Sequence, residues 1–262
     1  MDTGAVVPDE ILQGLAGSYL FEGLTTEDLR PLAAVATTRR LTRGEAIIRV
    51  DDQADEIYIV LSGELKDSVV DADGVEVVHF LHGPGMTFGE PGYFAVDHQR
   101  IVEVLATEPT VVIRLGRREL APFMAQHPTT KDRALEKLAS NQRWQTTMIS
   151  SLATKPLVDR LVLRLLELVD TSPSRRPGPA VTPPVSQVTL AAMVGVSREN
   201  VNRALAMLIG RGDIRREKGR YVLIEEDRLR RQVVHGVGPV AQRRDHRLDL
   251  NPSNHRKKSA AE

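Results

Sequence analysis

The stretch Val188 to Leu208, which reads VTLAAMVGVSRENVNRALAML, decides the fold of the C-terminal part of this chain. Its first apolar residues have the spacing of one short helix; they are Leu190, Met193 and Val194. Gly195 permits a tight turn, and Ser197 is a suitable N-cap for a second helix. Val196 and Val201 stand at the two positions of a hydrophobic staple around that cap. The pattern predicts a helix-turn-helix.

The outer face of the second helix carries side chains suited to base edges. The guanidinium fork of arginine matches O6 and N7 of guanine, and a glutamate accepts a hydrogen bond from N4 of cytosine. The alternative is an ordinary helical hairpin with a solvated charged face, but the cap, the staple and a following hairpin together favour DNA binding. The predicted DNA-binding residues are Ser197, Arg198, Glu199, Asn202, Arg203 and Lys218.

A wing and a local excess of positive charge follow the second helix. Residues 214–216 and 220–224 flank Glu217-Lys218-Gly219, which predicts a hairpin able to reach phosphate. Residues 186–224 contain seven Lys and Arg against three Asp and Glu, whereas the whole chain is neutral, with 35 of each sign. The positive face is therefore local, and the predicted partner is double-stranded DNA.

A long helix is predicted upstream, beginning at Pro128 and extending for about 25 residues. Spacings of three and four alternate along one side of it, which is typical of a coiled-coil seam and predicts a homodimer. A helix lying on its own barrel is the alternative. The seam residues are Leu135, Leu138, Gln142, Gln145, Ile149 and Leu152.

Two further segments separate the long helix from the helix-turn-helix. Pro156 is expected at the first position of a new helix, whose apolar face contains four leucines. The stretch Thr171 to Pro184 has five prolines in fourteen residues, which predicts a semi-rigid surface loop. Beyond Arg231 the sequence has almost no periodicity and is predicted to be a disordered tail.

Short strands and turns dominate the N-terminal half. Ile57 to Leu61 is a strand-forming run that ends at Ser62-Gly63, and residues 71–74 (DADG) form a hairpin signal. Thr25 to Leu29 resembles the start of a capped helix. The prediction is an α+β protein: an N-terminal antiparallel β-roll, a long dimerisation helix and a C-terminal winged helix-turn-helix.

Composition excludes several other classes. The chain of 262 residues contains no cysteine, so disulfides, thiolate zinc sites and iron–sulfur clusters are excluded. No apolar run reaches the length of a membrane span, and the N-terminus lacks the features of a secretory signal, so a cytoplasmic protein is expected. No phosphate loop, paired metal-ligand motif or nucleophile elbow is present, so we expect no enzymatic activity.

From Leu20 to Ile224 the sequence resembles the CRP/FNR family of transcription regulators. The resemblance rests on the motifs RGE at 43–45, IYIVLSG at 57–63, GPG at 83–85, FGE at 88–90 and VGVSRENV at 194–201. It implies domains at 20–126 (a cyclic-nucleotide-binding β-roll), 127–153 (the dimerisation helix) and 154–231 (the winged helix-turn-helix), with an extension at 1–19 and a tail at 232–262. Arg198, Glu199 and Arg203 fall on the family's base-reading positions, which implies a TGTGA-like half-site. The Pro-rich loop lies where activators of the family contact RNA polymerase.

The resemblance also implies a ligand site, which the sequence matches in part. Gly89 and Glu90 match the residues that bind a ribose hydroxyl, and Arg100 matches the residue that binds a cyclic phosphate. Ile101 replaces the usual serine or threonine, and Pro91 replaces a leucine. Gln145 and Thr146 fall where the family contacts adenine. The resemblance therefore implies binding of a cyclic nucleotide, with cyclic AMP favoured, at reduced affinity or altered selectivity.

Other possibilities stay open at this stage. The roll is empty if Arg100 and Glu90 merely pair with each other, which leaves a constitutively active regulator. Another ligand such as cyclic di-GMP is a further alternative, and so is a nucleotide-binding module that controls another activity, although the chain has no additional domain to control. His79 and His82 are candidate haem ligands, but the favoured interpretation is that they are ordinary surface or turn histidines.

Overall fold

The computed structural model of the chain describes residues 8–172 and 179–233. Its helices are α1 (Pro8–Ala16), α2 (Thr26–Val35), α3 (Glu90–Phe94), α4 (Arg117–Gln126), α5 (Pro128–Thr154), α6 (Leu157–Asp170), α7 (Gln187–Val194), α8 (Arg198–Gly210) and α9 (Glu226–Val233). Its strands are β1 (Thr37–Leu41), β2 (Ala46–Ile48), β3 (Glu56–Ser62), β4 (Leu65–Val70), β5 (Glu76–His82), β6 (Thr87–Phe88), β7 (Glu103–Ala106), β8 (Thr110–Gly116), β9 (Ala180–Val181), β10 (Ile214–Glu217) and β11 (Arg220–Leu223). Residues 173–178 of the Pro-rich loop and residues 234–262 of the tail lie outside the described residues. The predicted start of the tail at residue 232 is wrong, because Gln232 and Val233 end α9 and Val233 is buried in the C-terminal core.

Two antiparallel four-stranded sheets form the N-terminal β-roll. Their strand orders are β1-β8-β3-β6 and β2-β7-β4-β5. Side chains from both sheets make one apolar core, and the helices α1, α2 and α4 contribute to a second. Ile11 and Leu15 of α1 are buried in that second core. Helix α1 lies within the predicted 1–19 extension and therefore supports the roll by packing.

The locally encoded turns and caps form as predicted. The side chain of Asp71 accepts hydrogen bonds from the backbone N–H groups of Asp73 and Val75 and closes the β4–β5 hairpin. Thr25 and Asp28 form a reciprocal capping box at the start of α2. The predicted α+β architecture of roll, long helix and winged helix-turn-helix is confirmed.

Helix α5 has 27 residues and two apolar sides. One side, which includes Ala134 and Trp144, packs against the rest of the same chain. The other side is the predicted seam, where Leu135, Ile149 and Leu152 remain 52%, 69% and 57% exposed in the single protomer. The helix therefore lies on its own roll and still presents an unpartnered apolar seam.

The C-terminal domain differs from the sequence prediction in two details. Pro156 is the N-cap of α6 and not its first residue. Ala180 and Val181 were expected in a surface loop, but they form β9, which pairs with β11 as the third strand of the wing sheet. The backbone N–H of Thr182 also donates to the carbonyl of Tyr221, which fixes this end of the loop to the wing.

Candidate functional site

A cavity of about 260 Å³ lies in the roll between strand β5, helix α3, strand β7 and helix α5. The structure brings five of the six predicted ligand-binding residues to this cavity: Gly89, Glu90, Arg100, Ile101 and Gln145. The sixth, Thr146, does not line it within one protomer. Its hydroxyl donates to the carbonyl of Gln142 on the same helix.

Glu90 is the most deeply buried acidic group of this cavity, with only 2% of its surface exposed. Lys137 Nζ donates to Glu90 Oε1 at 2.6 Å, and the hydroxyl of Thr87 donates to the same oxygen. Burial opposes ionisation, but the charge and hydrogen bond of Lys137, helped by Thr87, lower the pKa of the Glu90 carboxyl below its ordinary value. Glu90 is therefore a buried carboxylate held by a cation from α5.

Sequence reasoning missed Lys137. The available signal was its position one residue before Leu138 of the seam, on the side of α5 that faces the roll. Its ammonium group also donates to the hydroxyl of Thr87 at 2.6 Å and to the carbonyl of the same residue. All these partners belong to the turn that carries Glu90, so Lys137 fixes α5 against that turn.

Arg100 is 5% exposed and turns its guanidinium toward backbone carbonyls. Its Nη1 donates to Gly89 and its Nη2 to Glu56, both at 2.7 Å. The close approach explains Gly89, because a Cβ there would lie 2.9 Å from Arg100 Nη1, and its φ of +96° also favours glycine. No ion pair joins Arg100 to Glu90, because Glu90 pairs with Lys137 and Arg100 donates to backbone carbonyls. The Arg100–Glu90 pair, which the alternative of an empty roll assumed, is therefore wrong.

The replacements at positions 91 and 101 fall on the first turn of α3 and on the rim of the cavity. Pro91 is accommodated without loss because the first turn of a helix leaves its N–H groups unpaired. Ile101 is 70% exposed and supplies only hydrocarbon at the rim.

The two histidines of the haem hypothesis lie on β5 beside one carboxylate. His82 Nε2 is 3.3 Å from Asp67 and its ring stacks on Phe88, while His79 Nδ1 is 3.8 Å from Asp67. In the part of the chain that the structure describes, no cluster of His, Asp and Glu side chains is arranged to hold a metal ion.

The helix-turn-helix consists of α7 and α8 joined by a left-handed Gly195. The Ser197 hydroxyl accepts from the N–H of Asn200 at 3.4 Å and caps α8, while Val201 is fully buried below it. Of the predicted DNA-binding residues, Arg198, Glu199 and Arg203 are exposed on one side of α8. These three side chains are therefore accessible on the outer surface of α8.

Neighbouring polar groups orient this face. Hydrogen bonds from the backbone N–H of Glu199 and from Ser197 lower the pKa of the Glu199 carboxyl, so it is an acceptor at neutral pH. Arg203 donates to the side chain of Asn200. Asn202 is half-buried, and its Oδ1 has no hydrogen-bond partner.

Lys218 occupies the tip of the wing. It and Gly219 have φ values of +47° and +79°, as the two central residues of a type I′ hairpin turn require. Glu217 pairs with Arg220 across this two-residue loop. The exposed ammonium of Lys218 is therefore carried on a rigid, tightly twisted hairpin.

Arg164 of α6 connects the roll to the DNA-binding domain. Its Nη1 donates to Glu167 at 2.8 Å and to the carbonyl of His79 on β5 at 3.1 Å. Its Nε donates to the carbonyl of Met193 at the end of α7 at 3.0 Å, and the guanidinium lies 5.7 Å from the ring centre of Trp144. One buried side chain thus joins the roll, α5, α6 and the helix-turn-helix.

None of the helices in the described ranges is long and apolar enough to cross a membrane.

Comparisons with known proteins agree with this architecture. Residues 38–127 match the cyclic nucleotide-binding domain, and residues 159–232 match the Crp-like helix-turn-helix domain. The CRP-like cAMP-activated global transcriptional regulator of Mycobacterium tuberculosis is 30% identical over 230 residues, covering 86% of this chain and 99% of its own. FixK2 from Bradyrhizobium japonicum has a similar fold, with a TM-score of 0.65 and 23% identity. The match covers 75% of this chain and 96% of FixK2. The c-di-GMP-responsive global regulator CLP of Xanthomonas campestris also has a similar fold, with a TM-score of 0.60 and 23% identity. The match covers 76% of this chain and 99% of CLP. The chain therefore belongs to the CRP/FNR family and is a DNA-binding, CRP-like transcription regulator.

Proposed function

We propose that this regulator works as a homodimer whose affinity for DNA is set by a cyclic nucleotide bound in the roll, with cyclic AMP as the favoured ligand. The observation that carries the proposal is the cavity in which a buried carboxylate, Glu90, meets the long helix through Lys137. A ligand in contact with Glu90 would act directly on α5, which leads into the DNA-binding domain.

The cavity offers the chemistry that a cyclic nucleotide requires. A ribose 2′-hydroxyl would donate to the Glu90 carboxylate. Arg100 has five N–H donors, of which one donates to the carbonyl of Gly89 and one to the carbonyl of Glu56. After a small rotation of the guanidinium, the remaining donors would be available to a cyclic phosphate. Gln145 would face the base from α5. Ile101 contributes no hydrogen bond, which supports a weaker affinity than a hydroxyl residue would give.

Replacing Ile101 by threonine should tighten cyclic AMP binding by about three- to a hundredfold, because one phosphate hydrogen bond is regained. Ile101→Val is the matched control, since valine and threonine have nearly the same shape and valine has no hydroxyl. Arg100→Ala should abolish binding. Titration calorimetry measures all three. If millimolar cyclic AMP gives no heat with the wild type and none with Ile101→Thr, the cavity is not a cyclic AMP site.

Two alternatives are distinguished by simple extensions of that experiment. Cyclic di-GMP is one, because the relative CLP responds to it; it is tested as the titrant in place of cyclic AMP. A constitutive regulator is the other, and it would shift promoter DNA fully in a gel assay without any nucleotide. The proposal requires DNA affinity to rise with cyclic AMP.

Arg198→Ala should weaken binding to the specific site by about 1–3 kcal/mol and relax specificity at one base pair, because a bidentate contact to guanine is lost. The proposed site is two-fold symmetric and TGTGA-like, with half-site centres about 34–36 Å apart. Binding to specific and random duplexes is compared by fluorescence anisotropy. Arg211→Ala, an exposed arginine after the far end of α8, is the control and should change little. An equal loss on both duplexes with Arg198→Ala would make this residue a phosphate contact only.

We also propose that the Pro-rich loop, Thr171 to Pro184, contacts RNA polymerase. Replacing only residues 173–178 by Gly and Ser spares β9 and the wing sheet, so DNA binding should be retained. Transcription activation in vitro should fall severalfold. Unchanged transcription from a target promoter would contradict this assignment.

We also propose that the protein acts in the cytoplasm. Its relatives are bacterial regulators, and bacterial chromosomal DNA lies in that compartment.

A further inference from the structure

A second cavity, of about 400 Å³, lies at the junction of the roll and the DNA-binding domain. Strand β5, helices α5 and α6 and the end of α7 enclose it. Its walls are mostly apolar; they include Val77, Phe80, Trp144, Met148, Met193 and Val194. The methionines give these walls an adaptable shape. A volume of this size is within the range of small-molecule sites.

This cavity is distinct from the nucleotide cavity, although the two are neighbours. His79, Phe80 and Gln145 line both and form the wall between them. Glu90 and Arg100, the polar groups of the nucleotide cavity, do not line the second one. Its open side includes Ile149 and Leu152 of the α5 seam, so a partner helix would cover that side in a dimer.

Two side chains of this cavity, the cationic Arg160 and the neutral Trp144, have a polar atom without a hydrogen-bond partner. Arg160 is half-buried, its Nε is shielded from solvent without a hydrogen-bond partner, and it makes no ion pair with any described residue. A half-buried guanidinium with an unpartnered Nε and no counter-ion among the described residues favours an anionic ligand. Trp144 Nε1 is also buried without a hydrogen bond of standard geometry, although the indole lies close enough to Glu167 to favour its ionised form.

The net charge around the cavity has the same sign. Arg160 and Arg164 are permanently charged. Arg164 pairs with the fully buried Glu167, and Asp67 lies near enough to act on Glu167, but among the described residues neither carboxylate pairs with Arg160. Burial raises the pKa of Glu167 to about 7, so part of its population is neutral at physiological pH. The positive charge is therefore incompletely balanced.

We infer that this junction cavity binds a compact amphipathic carboxylate, with its apolar body between Phe80 and Met148 and its carboxylate on Arg160. A ligand there contacts the same elements that Arg164 joins, so its occupancy would alter how the DNA-binding domain is held against the roll. The site would be a second effector input, independent of which nucleotide the roll takes.

The test uses full-length protein and 2-naphthoate as the probe. Trp144 is the only tryptophan of the chain and lines the cavity, so its fluorescence reports occupancy directly, with calorimetry giving the stoichiometry. We expect saturable binding of one probe per protomer. Arg160→Gln should weaken it at least tenfold and Arg160→Lys much less, because lysine retains the charge. The uncharged naphthalene-2-carboxamide should bind the wild type correspondingly weakly, a comparison that holds even if a variant fails to fold.

Two further measurements locate the probe. Val77→Phe fills the cavity from a position that is 40% exposed, and it should block binding. Arg100→Ala and saturating cyclic AMP should leave binding intact. The inference is overturned if no saturable binding occurs, if Arg160→Gln and Val77→Phe both leave affinity unchanged, or if cyclic AMP displaces the probe.

Discussion

Replacing Leu135 and Ile149 together by glutamate should convert the regulator into monomers. Both side chains are more than half exposed in the protomer and belong to the seam of α5. In a dimer, the two copies of α5 would therefore bring four new negative charges into one apolar interface. A two-fold site would then be bound through one half at a time. Affinity should fall by about 10²–10⁴-fold, the advantage that linked binding provides. Light scattering measures the mass, and a gel shift measures the affinity.

The control for this experiment adds the same charge to the same helix away from the seam. Thr129 and Ser150 are exposed on α5 and lie outside the alternating pattern of the seam. Thr129→Glu with Ser150→Glu should leave both mass and DNA affinity close to wild type. A Leu135 and Ile149 double variant that remained dimeric would show that the protomers associate through another surface, and that the seam has another use.

The features that sequence predicted well are those encoded by a few adjacent residues. The cap at Ser197, the turn at Gly195 and the staple of Val196 and Val201 involve short-range contacts, and all of them form. The β4–β5 hairpin is similar, because Asp71 and Gly74 determine its turn locally. Each of these elements can therefore be predicted from neighbouring residues alone, without the rest of the fold.

The elements that the sequence did not indicate depend on distant partners. Strand β1 contains Arg39 and Arg40 and lacks an apolar alternation, and it exists because it pairs along its whole length with β8. Strand β9 lies in a proline-rich stretch that reads as a loop, and it forms because β11 offers a free edge. Pairing across such distances leaves little trace in the local pattern.

The ligand cavity shows the same division. The motif around Gly89, Glu90 and Arg100 was sufficient to predict three residues that line the same cavity. The groups that actually engage these side chains, Lys137 and the carbonyl of Glu56, are 47 residues from Glu90 and 44 residues from Arg100. Sequence therefore predicted residues that line one cavity but not the partners of their side chains, and it offered an Arg100–Glu90 pair that the fold does not make.

Arg164 is the clearest residue that the helical pattern concealed. It stands among the leucines of α6, where a charged residue in that pattern is expected to face solvent, yet it is only 6% exposed. Its partners come from β5, α6 and α7 at once. The burial becomes intelligible only when the roll and the helix-turn-helix are placed against each other.

Arg164→Met should lower the free energy of unfolding by about 3–5 kcal/mol, which is typical for removing one partner of a buried ion pair. Methionine keeps most of the volume, so at neutral pH the loss comes mainly from the unpaired carbonyls of His79 and Met193, and from Glu167, which loses its partner and takes up a proton. Urea unfolding at neutral pH, followed by circular dichroism, measures the change.

The loss should also depend on pH, because Glu167 titrates. In the wild type, burial raises the pKa of its carboxyl from 4.5 to about 7, so the folded state holds this proton more tightly than the unfolded state. The stability contributed by Glu167 is therefore complete below about pH 4.5 and decreases as the pH rises to 7. Without Arg164 the pKa of Glu167 rises further, so the difference between Arg164→Met and wild type should be larger at about pH 8 than at about pH 5.

A double variant isolates the cause. Adding Glu167→Gln to Arg164→Met removes the titrating carboxyl, so it should recover the part of the loss that appears between about pH 5 and about pH 8 and abolish the extra pH dependence. Arg39→Met is the matched control, because Arg39 and its partner Glu45 are both well exposed, so it should show neither effect strongly. If the loss in Arg164→Met were equal at both pH values, the destabilisation would arise from the lost carbonyl contacts alone. The connection between roll and DNA-binding domain would then rest on hydrogen bonding and not on the charge of Glu167.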